Sequence, residues 1–335
     1  MYLQPFLISF IITIVSIALI LFLCSKLDFL RQIKSAKKYY LSGCRFGGVA
    51  IIIGFLGTLF LNQELFFSQQ IWGIIFASII ILIFGVIDDL KELEWKTQLL
   101  FQVVVAILVL ILGVRLEFIT NPFGGLIFLN SGNYIIVGFF VVIFWIILMI
   151  NSMNWIDGVD GLSGGVSLIG VLAVFFISLK PEVNQPPVGI ISMALVGSFL
   201  GFLIFNFYPS KILAGTSGSM FMGFALASLA IFAGTKMATA LLVMAIPIIN
   251  AFWVIGERIK SGKSNIKSDN RHIHCKLLEL GWSPKKISLL FYSATILIAL
   301  IALNTRAIGK MVAMILVAII VMGYLIFIKR KLASS

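Results

Sequence analysis

The chain has 335 residues, of which 61% are apolar and 11% charged, and its mean hydropathy is +1.13. Soluble domains carry roughly 25% charged residues, so this chain has too little polar surface for a soluble enzyme. Its apolar runs approach the ~20 residues that cross a bilayer, whereas strands of a membrane barrel alternate apolar and polar residues. The composition therefore predicts an all-α polytopic membrane protein, whose helices satisfy their own backbone groups.

The apolar runs predict about eleven transmembrane helices in a single integral membrane domain, residues 1–335. The predicted spans lie near 3–24, 46–61, 71–87, 97–114, 134–151, 162–179, 188–206, 218–234, 236–255, 286–303 and 308–328. The division between the eighth and ninth spans is the weakest, because it depends on Lys236 alone. The first run has no basic residue before it, which favours a retained span over a cleaved signal peptide.

The few charged residues are divided very unevenly between the loops, and the net charge is +12. Loops 1, 3, 5, 7 and 9 and the C-terminal tail hold 20 of the 25 Lys and Arg residues and ten of the 13 acidic residues. Positive residues mark the cytoplasmic side, so these loops and the C-terminus are predicted to be cytosolic and the N-terminus external. No acidic residue falls inside a predicted span, which disfavours an ion-coupled transporter and favours chemistry at the cytosolic face.

Two adjacent carboxylates, Asp88 and Asp89, directly follow the third predicted span. Neighbouring carboxylates at a span end repel each other and lose solvation, so a metal, a metal-bound phosphate or a basic group is expected beside them. The alternative is a solvated helix end that continues into Lys91, Glu92 and Glu94.

The fifth loop carries Asn151, Asn154, Asp157 and Asp160, with a glycine after each aspartate. The asparagines are three residues apart, as are the aspartates, so helical pitch would align each pair on one face. Oxygen ligands at this density suit Mg²⁺ together with phosphate. The alternative is an Asx-rich turn that only separates two spans.

The seventh loop contains Lys211 and leads through Gly215, Thr216 and Ser217 into the eighth span. Small residues at the start of a helix expose backbone N–H groups that bind anions, and Lys211 adds positive charge. A plain N-cap is the alternative interpretation.

The ninth loop contains both histidines of the chain, in the segment 271–275, which reads Arg-His-Ile-His-Cys. On an extended segment His272 and His274 share a face. Hydrogen bonding to phosphate or sugar is favoured over a zinc site, because only Cys275 and Asp269 are nearby candidates for further ligands. A basic patch that binds anionic lipid headgroups is the alternative.

Together these motifs resemble the polyprenyl-phosphate N-acetylhexosamine-1-phosphate transferases of glycosyltransferase family 4, which start O-antigen, teichoic acid and peptidoglycan lipid intermediates. The resemblance keeps the same loop order from Arg45 to the last span. Its motifs are Asp88-Asp89, Asn151-x-x-Asn154-x-x-Asp157-Gly-x-Asp160-Gly-Leu-x-Gly-Gly, Asn206-Phe-x-Pro209-x-Lys211-x-x-x-Gly215-x-x-Gly218-Ser219, and Arg271-His-Ile-His274. The histidine cluster is closer to the N-acetylglucosamine branch than to the three-histidine muramoyl-pentapeptide branch.

The resemblance implies an Mg²⁺-dependent reaction, with Mn²⁺ as the substitute metal, at the cytosolic face of a bacterial-type plasma membrane. The phosphate of a polyprenyl phosphate attacks the β-phosphate of a UDP-N-acetylhexosamine and gives polyprenyl-diphosphate-sugar and UMP. The lipid tail is expected in a groove between spans, open to membrane lipids. No nucleic-acid partner is implied, and a homodimer is left open.

The same resemblance implies three groups of site residues. The catalytic residues are Asp88, Asp89 and Asp157. The metal ligands are Asn154, Asp157 and, at the position of a family aspartate, Thr216. The residues that bind substrate are Arg45, Asn151, Lys211, Arg271, His272 and His274, together with Asp160 toward the uridine.

Three positions depart from the family pattern. Thr216 stands where the family usually has an aspartate metal ligand, and Gln98 lies about where it has a lysine. Cys44 precedes Arg45 in a segment where the family usually has a proline. The first two changes remove one anion and one cation. They leave open a paralogue that binds polyprenyl phosphate or a UDP-sugar without catalysis. A lipid transporter is the third class, disfavoured by the absence of acidic residues inside the predicted spans.

Overall fold

The computed structural model describes residues 1–26, 44–121, 124–130, 132, 134–233, 237–261 and 271–334. Within these ranges the chain forms helices and one short hairpin, whose strands β1 (Phe118–Thr120) and β2 (Leu126–Phe128) pair antiparallel. The helices are α1 (Leu3–Lys26), α2 (Gly47–Leu61), α3 (Gln69–Lys91), α4 (Trp95–Ile111), α5 (Tyr134–Ile156), α6 (Leu162–Ser178), α7 (Pro186–Asn206), α8 (Gly215–Phe232), α9 (Met237–Val243), α10 (Ala245–Ser261), α11 (Ile273–Glu279), α12 (Pro284–Asn304) and α13 (Ala307–Ser334).

The predicted all-α polytopic architecture is confirmed. Each predicted span coincides with a helix or, for the ninth span, with a bent pair of helices. In the described part of the chain, seven helices are long and apolar enough to cross a membrane, or eight if α9 and α10 together form one span. The shorter apolar helices α2, α4 and α6 occupy the other predicted positions. The chain is a multi-pass membrane protein.

The span predicted near 236–255 is not one continuous helix. The structure divides this segment at Met244 into α9 and α10, whose axes differ by 71°. Pro247 lies in the first turn of α10, where it has no N–H to donate to the preceding turn and its ring opposes a continuous helix. Lys236, which marked the division from the eighth span, lies outside the described residues.

Helix α8 is the centre of the fold. It contacts α2, α3, α5, α6, α7 and α9, and it is buried along almost its whole length. Close packing depends on small residues: a Cβ at Gly223 would lie 2.4 Å from the carbonyl oxygen of Met149, and one at Gly48 would lie 2.1 Å from the backbone of Gly218. Small residues at such contacts let membrane helices approach closely. The N-terminus of α8 is therefore surrounded by the ends of other helices.

The loops that were predicted to share one membrane face do lie together. Arg45 before α2 contacts Asp89 at the end of α3. Asp89 binds the N-terminus of α8 through Thr216, and Asp160 after α5 binds Ser210 before α8. That this face is cytosolic stays a prediction.

Candidate active site

The carboxylate of Asp89 caps the N-terminus of α8. Its Oδ1 accepts the N–H of Thr216 at 2.7 Å, and its Oδ2 accepts the N–H and the hydroxyl of Ser217 at 3.2 and 3.1 Å. A buried carboxylate here satisfies helix N–H groups that have no partner within the helix and interacts favourably with the helix dipole. The expectation that these N–H groups are open to an external anion is wrong, because Asp89 already occupies them.

Arg45 is the cationic group beside the paired carboxylates. Its Nη2 lies 3.5 Å from Oδ1 of Asp89, and its Nη1 lies 3.8 Å from Oε1 of Glu92. The backbone next to Arg45 is held in place, since the N–H of Gly47 donates to the carbonyl of Leu213 at 2.9 Å. Arg45 therefore offsets the charge of buried Asp89, and its predicted role in substrate binding stays a prediction.

Asp88 is the neighbour of Asp89 in sequence but differs from it in hydrogen bonding. Its Oδ1 accepts the N–H of Leu93 at 3.0 Å and the side-chain amide of Gln98 at 2.9 Å. Its Oδ2 accepts no hydrogen bond from the described residues. Asp88 is thus the member of the pair with one carboxylate oxygen outside the described hydrogen bonds. Gln98, at the position of the expected lysine, contacts this carboxylate as a neutral donor.

Asn151 and Asn154 lie in the last two turns of α5, not in a loop, because α5 continues to Ile156. Their spacing places them on one helix face, as predicted. Nδ2 of Asn151 donates to Oε1 of Gln102 on α4 at 2.5 Å, and Oδ1 of Asn154 accepts the hydroxyl of Ser219 on α8 at 2.9 Å. The two asparagines connect α5 to α4 and to the first turn of α8.

Asp157 and Asp160 lie in the turn between α5 and α6 and have different partners. Oδ1 of Asp157 accepts the hydroxyl of Ser163 at 2.7 Å. The two oxygens of Asp160 accept the N–H and the hydroxyl of Ser210 at 3.0 and 2.9 Å. The expected alignment of both carboxylates on one helix face is wrong, because the chain has left the helix and Gly161 adopts a φ of +77°.

The connection between α7 and α8, which carries Lys211, is held by hydrogen bonds at several points. Oδ1 of Asn206 accepts the N–H of Gly161 at 3.0 Å, and its Nδ2 donates to the carbonyl of Ile212 at 2.8 Å. The N–H of Lys211 donates to the carbonyl of Phe205 at 2.8 Å. Lys211 itself is exposed, so an ordered backbone presents its side chain at the edge of the site.

His272 and His274 lie side by side at the start of α11. Their ring centroids are 5.4 Å apart and the planes differ by 10°. A Cβ at Gly158 would lie 2.1 Å from Nε2 of His274, so this ring rests directly on the turn that carries Asp157. Arg271, half-buried, precedes the pair. Within the described ranges, no three His, Cys, Asp or Glu side chains form a metal cluster, and Asp269, a candidate ligand of the zinc alternative, lies outside those ranges.

The buried polar residues that position the site side chains were not among the residues predicted from the sequence. Gln102 pairs with Asn151, and Asn250 of α10 contacts the histidine segment. In the sequence, Gln102 and Asn250 each stand as an isolated amide in an apolar run. Such an amide in a membrane helix indicates a contact inside the protein.

The described contacts bring several of the candidate residues together at the N-terminal end of α8. Asp89 and Asn154 contact the first turns of α8, and Arg45 contacts Asp89. Asp157 lies on the turn after α5, against which His274 at the start of α11 packs. Hydrogen-bond donors, cations and carboxylates are found in this region, a combination that suits anionic substrates such as phosphates bound with a metal.

Comparison with known proteins identifies the class. The family model for "Glycosyl transferase family 4" matches residues 71–234. A decaprenyl-phosphate N-acetylglucosaminephosphotransferase of Mycobacterium leprae is 31% identical over 280 residues, covering 74% of this chain and 69% of the relative. A probable undecaprenyl-phosphate N-acetylglucosaminyl 1-phosphate transferase of Bacillus subtilis is 29% identical, with the same two coverages. A phospho-N-acetylmuramoyl-pentapeptide-transferase of Bacillus subtilis is 29% identical, covering 77% of this chain and 82% of the relative.

The chain is an enzyme of the membrane phosphoglycosyltransferase class. It belongs to glycosyl transferase family 4.

Proposed function

We propose that this protein transfers an N-acetylhexosamine-1-phosphate from a UDP-sugar to polyprenyl phosphate. An oxygen of the acceptor phosphate attacks the β-phosphorus of the UDP-sugar, the bond to the bridging oxygen breaks, and UMP leaves. The names of the relatives, which specify undecaprenyl or decaprenyl phosphate and N-acetylglucosamine phosphate, support this acceptor and this transferred group.

The observation that carries the proposal is that Asp88 and Asp89 have different hydrogen-bond partners. Asp89 binds the N-terminus of α8 and contacts Arg45. Oδ2 of Asp88 accepts no hydrogen bond from the described residues, so in this proposal it binds a ligand. Asp88 therefore either accepts the proton of the acceptor phosphate or binds the metal that accompanies the diphosphate. Asp89 acts by fixing the backbone on which the site is built.

The acceptor approaches Asp88 from the membrane in this proposal. Large apolar side chains are exposed on the last turn of α3 and the first turns of α4, next to Asp88. They are Leu90, Trp95, Leu99 and Leu100. An apolar surface beside a carboxylate oxygen suits a ligand whose long hydrocarbon chain ends in a phosphate.

The residues present fit Mg²⁺ that is bound together with substrate phosphates. Mg²⁺ commonly takes only one or two protein carboxylates and completes its coordination with water and phosphate oxygens. Asp88 and Asp157 would supply carboxylate oxygens, and Asn154 an amide oxygen. Thr216 offers a hydroxyl in place of a carboxylate. When bound, the metal would neutralise the diphosphate and the leaving UMP.

The donor side of the site lies around the turn after α5. Arg271, His272 and His274 supply donors and charge for the diphosphate or the acetamido sugar, and Lys211 and Asn151 lie at the edges. In this proposal Asp160 contributes to uridine binding chiefly by anchoring Ser210 and the connection to α8.

The test is release of UMP from a UDP-N-acetylhexosamine by the full chain in lipid nanodiscs, with polyprenyl phosphate and Mg²⁺. We expect release by the native protein, loss in Asp88→Asn, and no loss in the matched carboxylate control Glu64→Gln, which lies outside the site. Release only after Thr216→Asp would instead favour a binding paralogue. Substrate flux across sealed vesicles without product would favour a transporter.

A further inference from the structure

Asn250 is a fully buried amide in α10 whose two polar atoms both reach the histidine segment. Its Oδ1 accepts the N–H of Ile273 at 3.0 Å, and its Nδ2 lies 3.1 Å from Nδ1 of His272. The first contact satisfies the N–H at the start of α11, and the second fixes the His272 ring. Asn250 thereby links α10 to a segment implied in substrate binding.

The orientation of the Asn250 amide follows from its backbone partner. A main-chain N–H only donates, so the atom that faces Ile273 must be the carbonyl oxygen. A flipped amide would place an NH₂ group against that N–H. The NH₂ group therefore faces His272 and donates to Nδ1, which accepts only if it carries no proton.

We propose that Asn250 is a positioning residue that holds His272 as the neutral tautomer with its proton on Nε2. A doubly protonated imidazole would set two N–H donors against each other at 3.1 Å, so Asn250 also opposes the imidazolium. Its Nε2–H is then a neutral hydrogen-bond donor. The tautomer does not depend on the proposed function, whereas a role of this donor toward the substrate does.

The His272 ring also packs among aromatic side chains. The ring stacks on His274, and its centroid lies 6.2 Å from that of Trp155. The guanidinium of Arg258 lies 5.3 Å from the centre of the Trp155 ring, and Lys276 follows one turn along α11.

The tautomer is read directly from the ¹⁵N spectrum of the full chain in lipid nanodiscs, labelled at histidine ring nitrogens. The chain has only two histidines, so His274→Gln identifies the His272 signals. We expect an unprotonated Nδ1 and a protonated Nε2 for His272 at neutral pH. A protonated Nδ1 in the native protein would overturn the proposal.

The Asn250→Asp variant should change the tautomer of His272 while it keeps the size of the side chain at position 250. A carboxylate still accepts the N–H of Ile273, but it presents a second acceptor to His272, so we expect the proton on Nδ1. An Asn250→Asp spectrum identical to the native one would overturn the proposal. If this variant does not fold, the native spectrum still decides the tautomer.

A kinetic cycle tests whether Asn250 acts through His272. Asn250→Asp should change the KM for the UDP-sugar about fivefold in the native background and less than about twofold in His272→Gln. Equal changes in both backgrounds would show a merely structural role and overturn the proposal. Absence of transfer by the native chain would instead contradict the proposed function, and the ¹⁵N result would still stand.

Discussion

The carboxylate of Asp89 accepts the backbone N–H of Thr216 at 2.7 Å, although the two residues are 127 positions apart. This contact joins the end of α3 to the beginning of the central helix α8. It commits the Asp89 carboxylate to the fold, whereas Oδ2 of Asp88 accepts no hydrogen bond from the described residues.

Asn substitutions at the two positions should therefore have different effects. Asp89→Asn replaces an acceptor by an amide NH₂ that faces either the Thr216 N–H or the Ser217 N–H. We expect it to cost about 2 kcal/mol and to lower the apparent melting temperature in detergent by about 5 °C. Asp88→Asn should change that temperature by less than about 2 °C while reducing transfer about 100-fold or more. Equal losses of stability in both variants would contradict this assignment.

The two residues that depart from the family pattern, Gln98 and Thr216, contact different carboxylates. Gln98 donates to Asp88, and Thr216 donates through its backbone to Asp89. Thr216→Asp would add a negative charge beside Asp89, and Gln98→Lys would place a cation on Asp88, so each should slow transfer. Because the added charges are opposite, the double variant should recover activity. Its transfer rate should be about fivefold higher than the two single effects together predict, which corresponds to a coupling free energy of about 1 kcal/mol. Strict additivity of the two rate effects would argue against compensation.

Gly158 should not tolerate a side chain. A Cβ at this position would lie 2.1 Å from Nε2 of His274, so Gly158→Ala must shift the buried His274 ring. We expect a loss of about 1–3 kcal/mol in stability and a raised KM for the UDP-sugar. Gly256→Ala is the matched control, because a Cβ there has no atom within 4 Å. If both alanine variants bind the UDP-sugar equally well, the contact does not matter.

Cys44 should be an unreactive thiol. Burial, together with the neighbouring thiol of Cys24, whose Sγ lies 2.6 Å away, raises the pKa of Cys44 to about 12. The thiolate is the reactive form, so alkylation at pH 8 should modify half-buried Cys275 well before Cys44. The protonated thiol favours the folded state below the usual thiol pKa of about 8.5, and this contribution is lost as pH rises toward 12.

The alkylation time course is followed by mass spectrometry of peptides from the native protein. In denatured protein, where burial is removed, the two cysteines should react at similar rates. Modification of Cys44 as fast as Cys275 in the folded protein would contradict the raised pKa.

The sequence was sufficient for features that depend on local pattern. Apolar run lengths located the helices, and the i, i+3 spacing placed Asn151 and Asn154 on one helix face. The charge distribution grouped the loops that contact one another. These properties are set within one or two helical turns or by the sum of charges in a loop.

Partners that meet through the fold were not predictable. Asp89 and Thr216 are both polar residues at helix ends, and nothing local indicates that one caps the other. Asp157 and Asp160 share a spacing that suggests a helix, but the turn at Gly161 directs them to Ser163 and Ser210. A single sequence does not specify such long-range contacts, because many pairings satisfy the same local preferences.

The central claim is that this chain catalyses transfer with Asp88 at the reacting phosphates. The direct test is UMP release from a UDP-N-acetylhexosamine by the native chain, Asp88→Asn and Glu64→Gln, each in nanodiscs with polyprenyl phosphate and Mg²⁺. We predict release that depends on polyprenyl phosphate in the native protein and in Glu64→Gln, and at least about 100-fold less in Asp88→Asn. No release by the native chain, or undiminished release by a folded Asp88→Asn, would contradict the claim.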